Sequence, residues 1–294
     1  MSYLVKKVEF QSLINRRPLK RINTIKAFNL GIVMVLLFSN FNSKDNAGAT
    51  VRNNSFGTGE ELTYRVNFGI FTIGSARTKV DSKIASMRSR PCYKIDGFGA
   101  TSGVASWFSK FDDQWGAYLD TTTLITHVSY RKLKEDNYRR DEIVTFDHEK
   151  EQAEVKVLNK ETGAYDNTKY YPIKKNVRDI VGGFMYLRNI DYNSHKKGDT
   201  LVVSGFMEDT YYNLKVIYDG KEKINCNIGK LMCIRIIPIV PDNKLFDGAN
   251  SITAWFSDDK NRVPIKIQAK MFIGHAGLEI TTFRGLRHPL KMIF

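Results

Sequence analysis

The chain has 294 residues, 42% of them hydrophobic, 26% charged and 12% aromatic, with a formal charge of +14. Those values describe an ordinary globular protein, long enough for one large all-β domain or two smaller ones, and they lean towards β structure because rings fit pleated, half-buried surfaces. With only 7 Pro, a Pro-rich linker between domains is excluded.

Residues 1–49 hold eight Lys and Arg against Glu9 and Asp45, a net of +6 that leaves +8 for the rest. Within them AFNLGIVMVLLF, residues 27–38, is too short for the ~20 residues of a membrane-spanning helix. It fits the apolar core of a secretory signal, and Ala47-Gly48-Ala49 fits a small-x-small cleavage site. The expected organisation is a signal peptide over 1–49, cleaved near Ala49, and a single antiparallel β domain over 50–294, exported to the periplasm or outer cell envelope. An uncleaved anchor stays open. Export implies an oxidising compartment. A Cys226–Cys233 bridge across a hairpin stays open, with three unpaired thiols, Cys92 included, as the expectation.

From Glu60 onward the pattern has period two. Leu62, Tyr64, Val66 and Phe68 alternate with polar residues, and after a glycine-bent tip at 69–74 alternation resumes through Ala76, Thr78 and Val80. Further strands are expected at 92–98, 111–119, 125–134, 138–147, 152–158, 167–172, 200–206, 211–218, 222–227, 231–239, 251–257, 262–273 and 277–284. Turn signals such as Asp219-Gly220 separate them. Short strands at regular spacing predict a mainly β fold with one curved antiparallel sheet, an open or half barrel. One segment differs: Val177, Ile180, Val181, Phe184 and Leu187 have helical spacing, so a short helix over 176–189, capped by Asn176, is expected to lie across the sheet. Close packing would explain why Gly182 and Gly183 are tolerated inside it.

Residues that carry chemistry are sparse. None of His127, His148, His195, His275 and His288 has a second His or a Cys at metal-ligand spacing, and there is no nucleophile elbow. No metal or cofactor is expected. Basic residues around Asp136-Asn137, from Arg131 to Arg140, read as a solvated hairpin tip rather than a nucleic-acid surface, because Glu135, Asp136, Asp141 and Glu142 dilute them. In AWFSDDKNRVPIKI, residues 254–267, adjacent Asp258 and Asp259 point in divergent directions, a poor arrangement for sharing a proton or an ion. The stretch reads as a structural motif in which 251–257 and 262–273 form a hairpin with Asp258 to Asn261 at a solvent-exposed tip. Asp258 is expected to bond the turn's backbone, and Pro264 to face away from a paired neighbour. Ile252, Ala254 and Phe256 should share a face with Val263, Ile265 and Ile267, leaving Trp255 to find cover on the other face from the helix or a neighbouring strand.

Four stretches stand out in order: Gly59-Glu60-x-Leu62-x-Tyr64 followed by Gly69-x-x-x-x-Gly74-x-Ala76; Asp179-x-x-x-x-x-x-Tyr186-Leu187-Arg188; Gly229-Lys230-x-x-Cys233 with Pro238; and Trp255-x-Ser257-Asp258-Asp259-x-Asn261-x-x-Pro264. In these the chain resembles the domain of unknown function 3108 family of bacteria. The resemblance covers about 57–284. It implies an architecture similar to envelope lipoprotein-carrier half-barrels, and it brings no catalytic residues.

Three functional expectations follow. The first is a non-enzymatic envelope protein that holds an apolar ligand or lipid-like group in the hollow of its sheet, lined by Tyr64, Phe68, Trp107, Phe111, Trp115, Phe146, Phe184 and Trp255. The second is an interaction or scaffold protein of envelope assembly, binding through its basic surface. The third is a hydrolase of an envelope polymer using Asp258, Asp259 or His275. The expected partners are an apolar ligand or an envelope protein, with peripheral membrane contact, no nucleic acid and a monomeric state.

Overall fold

The computed structural model describes residues 51–103, 106, 110–165, 167–240, 246–272 and 274–294. The leader and its cleavage point lie outside them. The period-two pattern becomes a single antiparallel sheet of 15 strands. These are β1 (Glu61–Phe68), β2 (Phe71–Met87), β3 (Arg90–Thr101), β4 (Asp112–Asp120), β5 (Thr126–Glu135), β6 (Tyr138–Asp147), β7 (Gln152–Val157) and β8 (Asn167–Pro172), then β9 (Thr200–Met207), β10 (Thr210–Cys226), β11 (Gly229–Pro238), β12 (Ile252–Ser257), β13 (Pro264–Lys270), β14 (His275–Arg284) and β15 (Met292–Ile293). Helix α1 (Ile180–Leu187) and a 3-10 turn at Tyr192–Ser194 lie between β8 and β9.

The strand order, β8-β7-β6-β5-β4-β3-β2-β1-β14-β13-β12-β11-β10-β9 with β15 beside β11, places the first and last long strands together in mid-sheet. The free edges are therefore β8 and β9, which are consecutive in sequence, and the segment joining them spans the seam. An edge strand carries a row of unpaired backbone groups that needs cover. Here Arg178 covers β9 in a parallel bridge, donating its N–H to Ser204 O at 3.1 Å and accepting from Phe206 N at 2.9 Å. Side chains complete the approach. Phe206 packs on Phe146 and Tyr171 with ring centroids 5.8 and 6.0 Å apart, and Arg131 of β5 pairs with Glu208. The sheet is barrel-like and unclosed.

Edge pairing also explains where the helix starts. The apolar spacing runs from Val177, but the backbone of Arg178 is committed to β9, so α1 begins at Ile180. Asp179, not Asn176, is its N-cap, accepting from Val181 N at 3.1 Å and Gly182 N at 2.9 Å. Asn176 stands outside the helix with φ of 62°, a left-handed conformation that Asn tolerates.

Three other expectations change. Asp219-Gly220 does not end a strand: β10 runs through it with an irregularity between Tyr218 and Lys221. Gly74 lies within β2, so the first hairpin tip is only Gly69-Ile70. In the β12–β13 hairpin, Ile252 pairs with Ala269 and Ala254 with Ile267, which keeps Ala254 on a face with Ile267 as expected, but a bulge between Trp255 and Phe256 sets Phe256 opposite Pro264. Val263 and Ile265 consequently pack with Trp255, Leu231 and Cys233, while Phe256 and Ala254 belong to the main core. Trp255 finds its cover on neighbouring strands, donating to Glu222 at 2.5 Å beneath the Lys266 ammonium.

Candidate functional site

Helix α1 closes one end of the curved sheet. Near its start, a Cβ on Gly182 would fall 2.5 Å from Thr126 Oγ1 and 3.0 Å from Leu119 Cδ2, so the helix presses on the adjoining ends of β4 and β5. Beyond its last turn, Arg188 reaches the segment before β1 and the β12–β13 turn. Its guanidinium forms a two-pronged pair with Glu60, at 2.5 and 2.9 Å, and donates to Asn261 O at 3.0 Å and Ser55 O at 3.4 Å. All of these groups are buried, and the Phe56 ring lies beneath the guanidinium. A planar fork of donors matched to a carboxylate is the geometry in which a buried arginine is best satisfied.

The Asn261 side chain holds the C-terminal segment, donating to His288 O at 2.9 Å and accepting from His288 N at 2.8 Å. The expected solvent-exposed tip is therefore exposed only at Lys260: Asp258 and Asp259 are half-buried and Asn261 is buried in the junction. Covering by that segment and by Arg188 is the physical reason for the correction. The two acids divide the work differently from expectation as well. Asp259 bonds the turn backbone, accepting from Asn261 N, Arg262 N, Lys291 N and the Ser257 hydroxyl, whereas Asp258 pairs with Arg262 and Lys221. His275 starts β14 and pairs with Lys270, at the end of β13 opposite that turn. Asp258, Asp259 and His275 do not converge. Among the described residues no cluster of three or more His, Cys, Asp or Glu is arranged to hold a metal. The three Cys are unpaired, and Cys92 and Cys233 are buried.

Between α1 and the sheet lies a cavity of about 180 Å³. Ile180, Val181, Phe184 and Met185 of the helix form its floor, and Trp115 and Phe256 stand on its walls. The hollow exists because neighbouring strands carry small residues at matching positions. Thr78 pairs with Gly97, Ala76 with Gly99, and Ala269 with Ala276, all lining the space. A Cβ at Gly97 would meet nothing nearer than Trp115 O at 3.8 Å, and one on Gly183 nothing nearer than Val203 at 3.7 Å. From the helix the space runs towards the opposite ends of the strands, where Ile73, Phe111, Pro238 and Met271 line it. At that rim the β1–β2 and β13–β14 turns expose Ile70 (91%), Phe71 (69%) and Phe272 (63%).

Of the aromatic residues expected to line a hollow, Tyr64, Phe111, Trp115 and Phe184 do so. Phe68 packs half-buried beside Phe246, Phe146 lies in the seam cluster with Phe206, and Trp255 lies in the cluster behind β11 and β12. Trp107 lies outside the described residues. The sequence reading missed the small residues that make the space, and it missed Asp113, a polar group in the wall. Their signal was pairing between distant strands, which only the register discloses.

Two acids bear on the electrostatics. Asp179 is fully buried, and burial pushes its carboxyl up to about 6 despite the Thr126 hydroxyl and two helix amides that donate to it. Burial likewise raises Asp113. Tyr64 is raised by burial in the same wall.

An unclosed antiparallel barrel, closed at one end by a helix and enclosing an apolar hollow, defines the class. Residues 63–281 match the family described as "Protein of unknown function (DUF3108)", and the chain belongs to that family. The residues that carried the resemblance in sequence meet in space: Glu60, Arg188 and Asn261 form the buried junction and Asp179 caps the helix. A solved structure described as a beta-barrel-like protein of domain of unknown function DUF1849 from Brucella abortus is similar in fold, with a TM-score of 0.51 at 11% identity over 77% of this chain and 97% of that one. A protein from Parabacteroides distasonis described as a putative lipoprotein aligns over 81% of this chain and 100% of its own, at 10% identity and a TM-score of 0.28, too low to bear on this chain. No curated protein matches the sequence.

Proposed function

We infer that this is an exported, non-enzymatic envelope protein that holds an apolar ligand or lipid-like group in the hollow beneath α1. The observation that supports this most is the cavity itself: about 180 Å³, walled by the apolar face of the helix and by small residues in register on adjacent strands. A well-packed domain leaves few voids larger than a water molecule. An apolar cavity of ~150 Å³ stays dry and accepts apolar guests. The basic leader with its short apolar core supports export. The exposed Ile70, Phe71 and Phe272 at the rim support peripheral contact between that end and a membrane.

Organic extraction and mass spectrometry of the protein purified from the bacterial envelope test the reading. The expected result is a co-purifying apolar compound, or uptake of one added in solution, that Gly97→Val abolishes by filling the hollow while the fold is retained. An empty protein that takes up no apolar probe overturns it. Co-sedimentation with anionic vesicles tests the rim: changing Ile70, Phe71 and Phe272 together to Ser should release the protein, and unchanged sedimentation removes the membrane contact from the reading.

A further inference from the structure

The seam between the two edges of the sheet is held differently from the rest of the wall. From β8 round to β9 every neighbouring pair of strands shares a backbone ladder, whereas among the described residues no pairing joins β8 to β9. Side chains close the seam instead. Glu208 of the β9–β10 turn pairs with Arg131 of β5, Asp209 of the same turn accepts from the Tyr171 hydroxyl of β8 at 2.9 Å, and Phe206 packs on Phe146 and Tyr171. Glu208 and Asp209 have φ of 48° and 62°, a left-handed pair that two-residue turns favour giving to Asn and Gly. What the two acids add in place of Asn and Gly is a pair of contacts across the seam.

Behind the seam a void of about 30 Å³ lies among Arg131, Glu142, Val144, Phe206, Met207 and Glu208. It shares Trp115, Asp179 and Ile180 with the wall of the hollow, so the two spaces stand back to back across these residues. The Arg131 guanidinium also lies over the Trp115 ring, 5.5 Å from its centroid. Opening the seam costs little. Releasing Glu208 strands no buried charge, because its side chain is half-exposed and Arg131 keeps Glu142, which accepts from it at 3.0 Å. No ladder breaks, because the backbone of β9 is covered by Arg178, through Ser204 O and Phe206 N, and not by β8. Water gains access to Asp209 Oδ1, which is buried without a partner while the seam is closed. Parting any two laddered strands would instead leave a row of backbone groups unpaired.

We propose that the seam is a lateral gate to the hollow: the β9–β10 tip, latched shut by Arg131–Glu208 and Tyr171–Asp209, swings away from β5 and β8 and lets an apolar ligand pass between the sheet edges, by Trp115 and Ile180, into the space beneath α1. This rests on the reading of the hollow as an apolar binding site and adds the route into it. The latch belongs to the route and not to the site, since Tyr171, Glu208 and Asp209 are not among the residues that line the hollow. Its strength therefore sets rates and not affinity: the closed empty form and the closed loaded form lose the same contacts when it is broken.

The test follows a fluorescent apolar dye entering and leaving the full chain by stopped flow. Glu208→Gln combined with Tyr171→Phe removes the charge and the hydroxyl of the latch and keeps the size of both side chains. It should raise the association and dissociation rates together by about 10-fold and leave Kd within about 2-fold. Tyr171→Cys combined with Asp209→Cys, in a Cys226→Ser background and bridged by a short bismaleimide, should slow both rates by about 10-fold relative to the same variant unbridged. Should the unlatched variant not fold, the comparison of bridged with unbridged protein still decides. If the dye binds and bridging leaves both rates unchanged, the gate is wrong while the hollow stands, entered from the rim. An unlatched variant that loses affinity at an unchanged association rate has lost part of the site, and that also overturns the gate. If the unaltered protein binds no dye, the reading of the hollow falls and the gate with it.

Discussion

The two ends of this curved sheet are built on opposite principles. At the helix end a connected set of buried polar groups is matched: Arg188 to Glu60, Asn261 and Ser55, Asn261 to His288, and Asp179 to the helix amides. At the rim end small residues leave space and large apolar side chains stand in solvent. Buried ionic networks are specificity devices more than sources of stability, since charges must be taken out of water to form them. The contrast therefore separates an end that fixes the strands and helix in one arrangement from an end left incomplete for something else. A cup needs both: a fixed floor and an unfilled interior.

The sharpest way to break the floor is to remove one half of its ion pair. Arg188→Ala leaves Glu60 charged and buried at 2% exposure, along with the Asn261 and Ser55 carbonyls that Arg188 satisfied. The expected loss is about 3–5 kcal/mol in denaturant unfolding. Adding Glu60→Gln to Arg188→Met should recover part of it, because no uncompensated charge remains. A loss below about 1 kcal/mol for the single change would show that the junction is not what fixes the floor.

Next in size is a pH effect at the helix N-terminus. The folded carboxyl of Asp179 titrates near 6, above its unfolded range, so the folded state holds that proton more tightly. Its contribution to stability is complete below about pH 4 and is lost as pH rises through about 6. Asp179→Asn keeps an oxygen to accept from the helix amides and carries no charge. The stability difference between variant and wild type should shift by about 2–3 kcal/mol in the variant's favour between pH 4 and 7. Melts across that range measure it, and a pH-independent difference contradicts the burial of a charged carboxylate there.

The β12–β13 turn belongs to the floor, and its two acids test how that end is held. Asp259 satisfies backbone donors of both the turn and the C-terminal segment, so Asp259→Ala should cost about 1–2 kcal/mol, as lost caps do. Asp258 makes partly exposed ion pairs with Arg262 and Lys221, so Asp258→Ala should cost less than about 1 kcal/mol. A reversed order in thermal melts would restore the role first expected of Asp258.

What could be read in advance follows the same division. Alternation in LTYRVNF or ITAWF is local, so the strands and the β class were legible, as was the helical spacing of α1. The start of α1 was not, because Arg178 is taken by β9, a pairing 27 residues away in sequence. The cavity was illegible for the same reason. Gly97 opposite Thr78 and Ala269 opposite Ala276 make a hollow only once register places them together, and no single strand announces it. Aromatic residues were a partial guide. Phe146 and Phe184 look alike in sequence, yet one fills the seam and the other faces the space. The bulge at Trp255 and Phe256 separated residues that strict period-two counting had put on one face.

The finest probe of the contrast is a pair of neighbouring residues. Gly182 and Gly183 are consecutive in α1, each a helix position where Ala would gain up to about 1 kcal/mol. A Cβ on Gly182 points at the floor, 2.5 Å from Thr126 Oγ1 and 2.9 Å from Asp179 Oδ1, groups that bond each other and cannot yield without breaking the cap. Overpacking there outweighs the propensity gain, and Gly182→Ala should lose about 1 kcal/mol net. A Cβ on Gly183 points into the hollow, with Val203 at an ordinary 3.7 Å, so Gly183→Ala keeps its gain and should stabilise by up to about 1 kcal/mol. Opposite signs at adjacent positions, read from chemical denaturation of the two variants, would locate the boundary between fixed floor and unfilled interior to within one residue. If both variants are destabilised, α1 is packed on both faces and the hollow does not extend to Gly183.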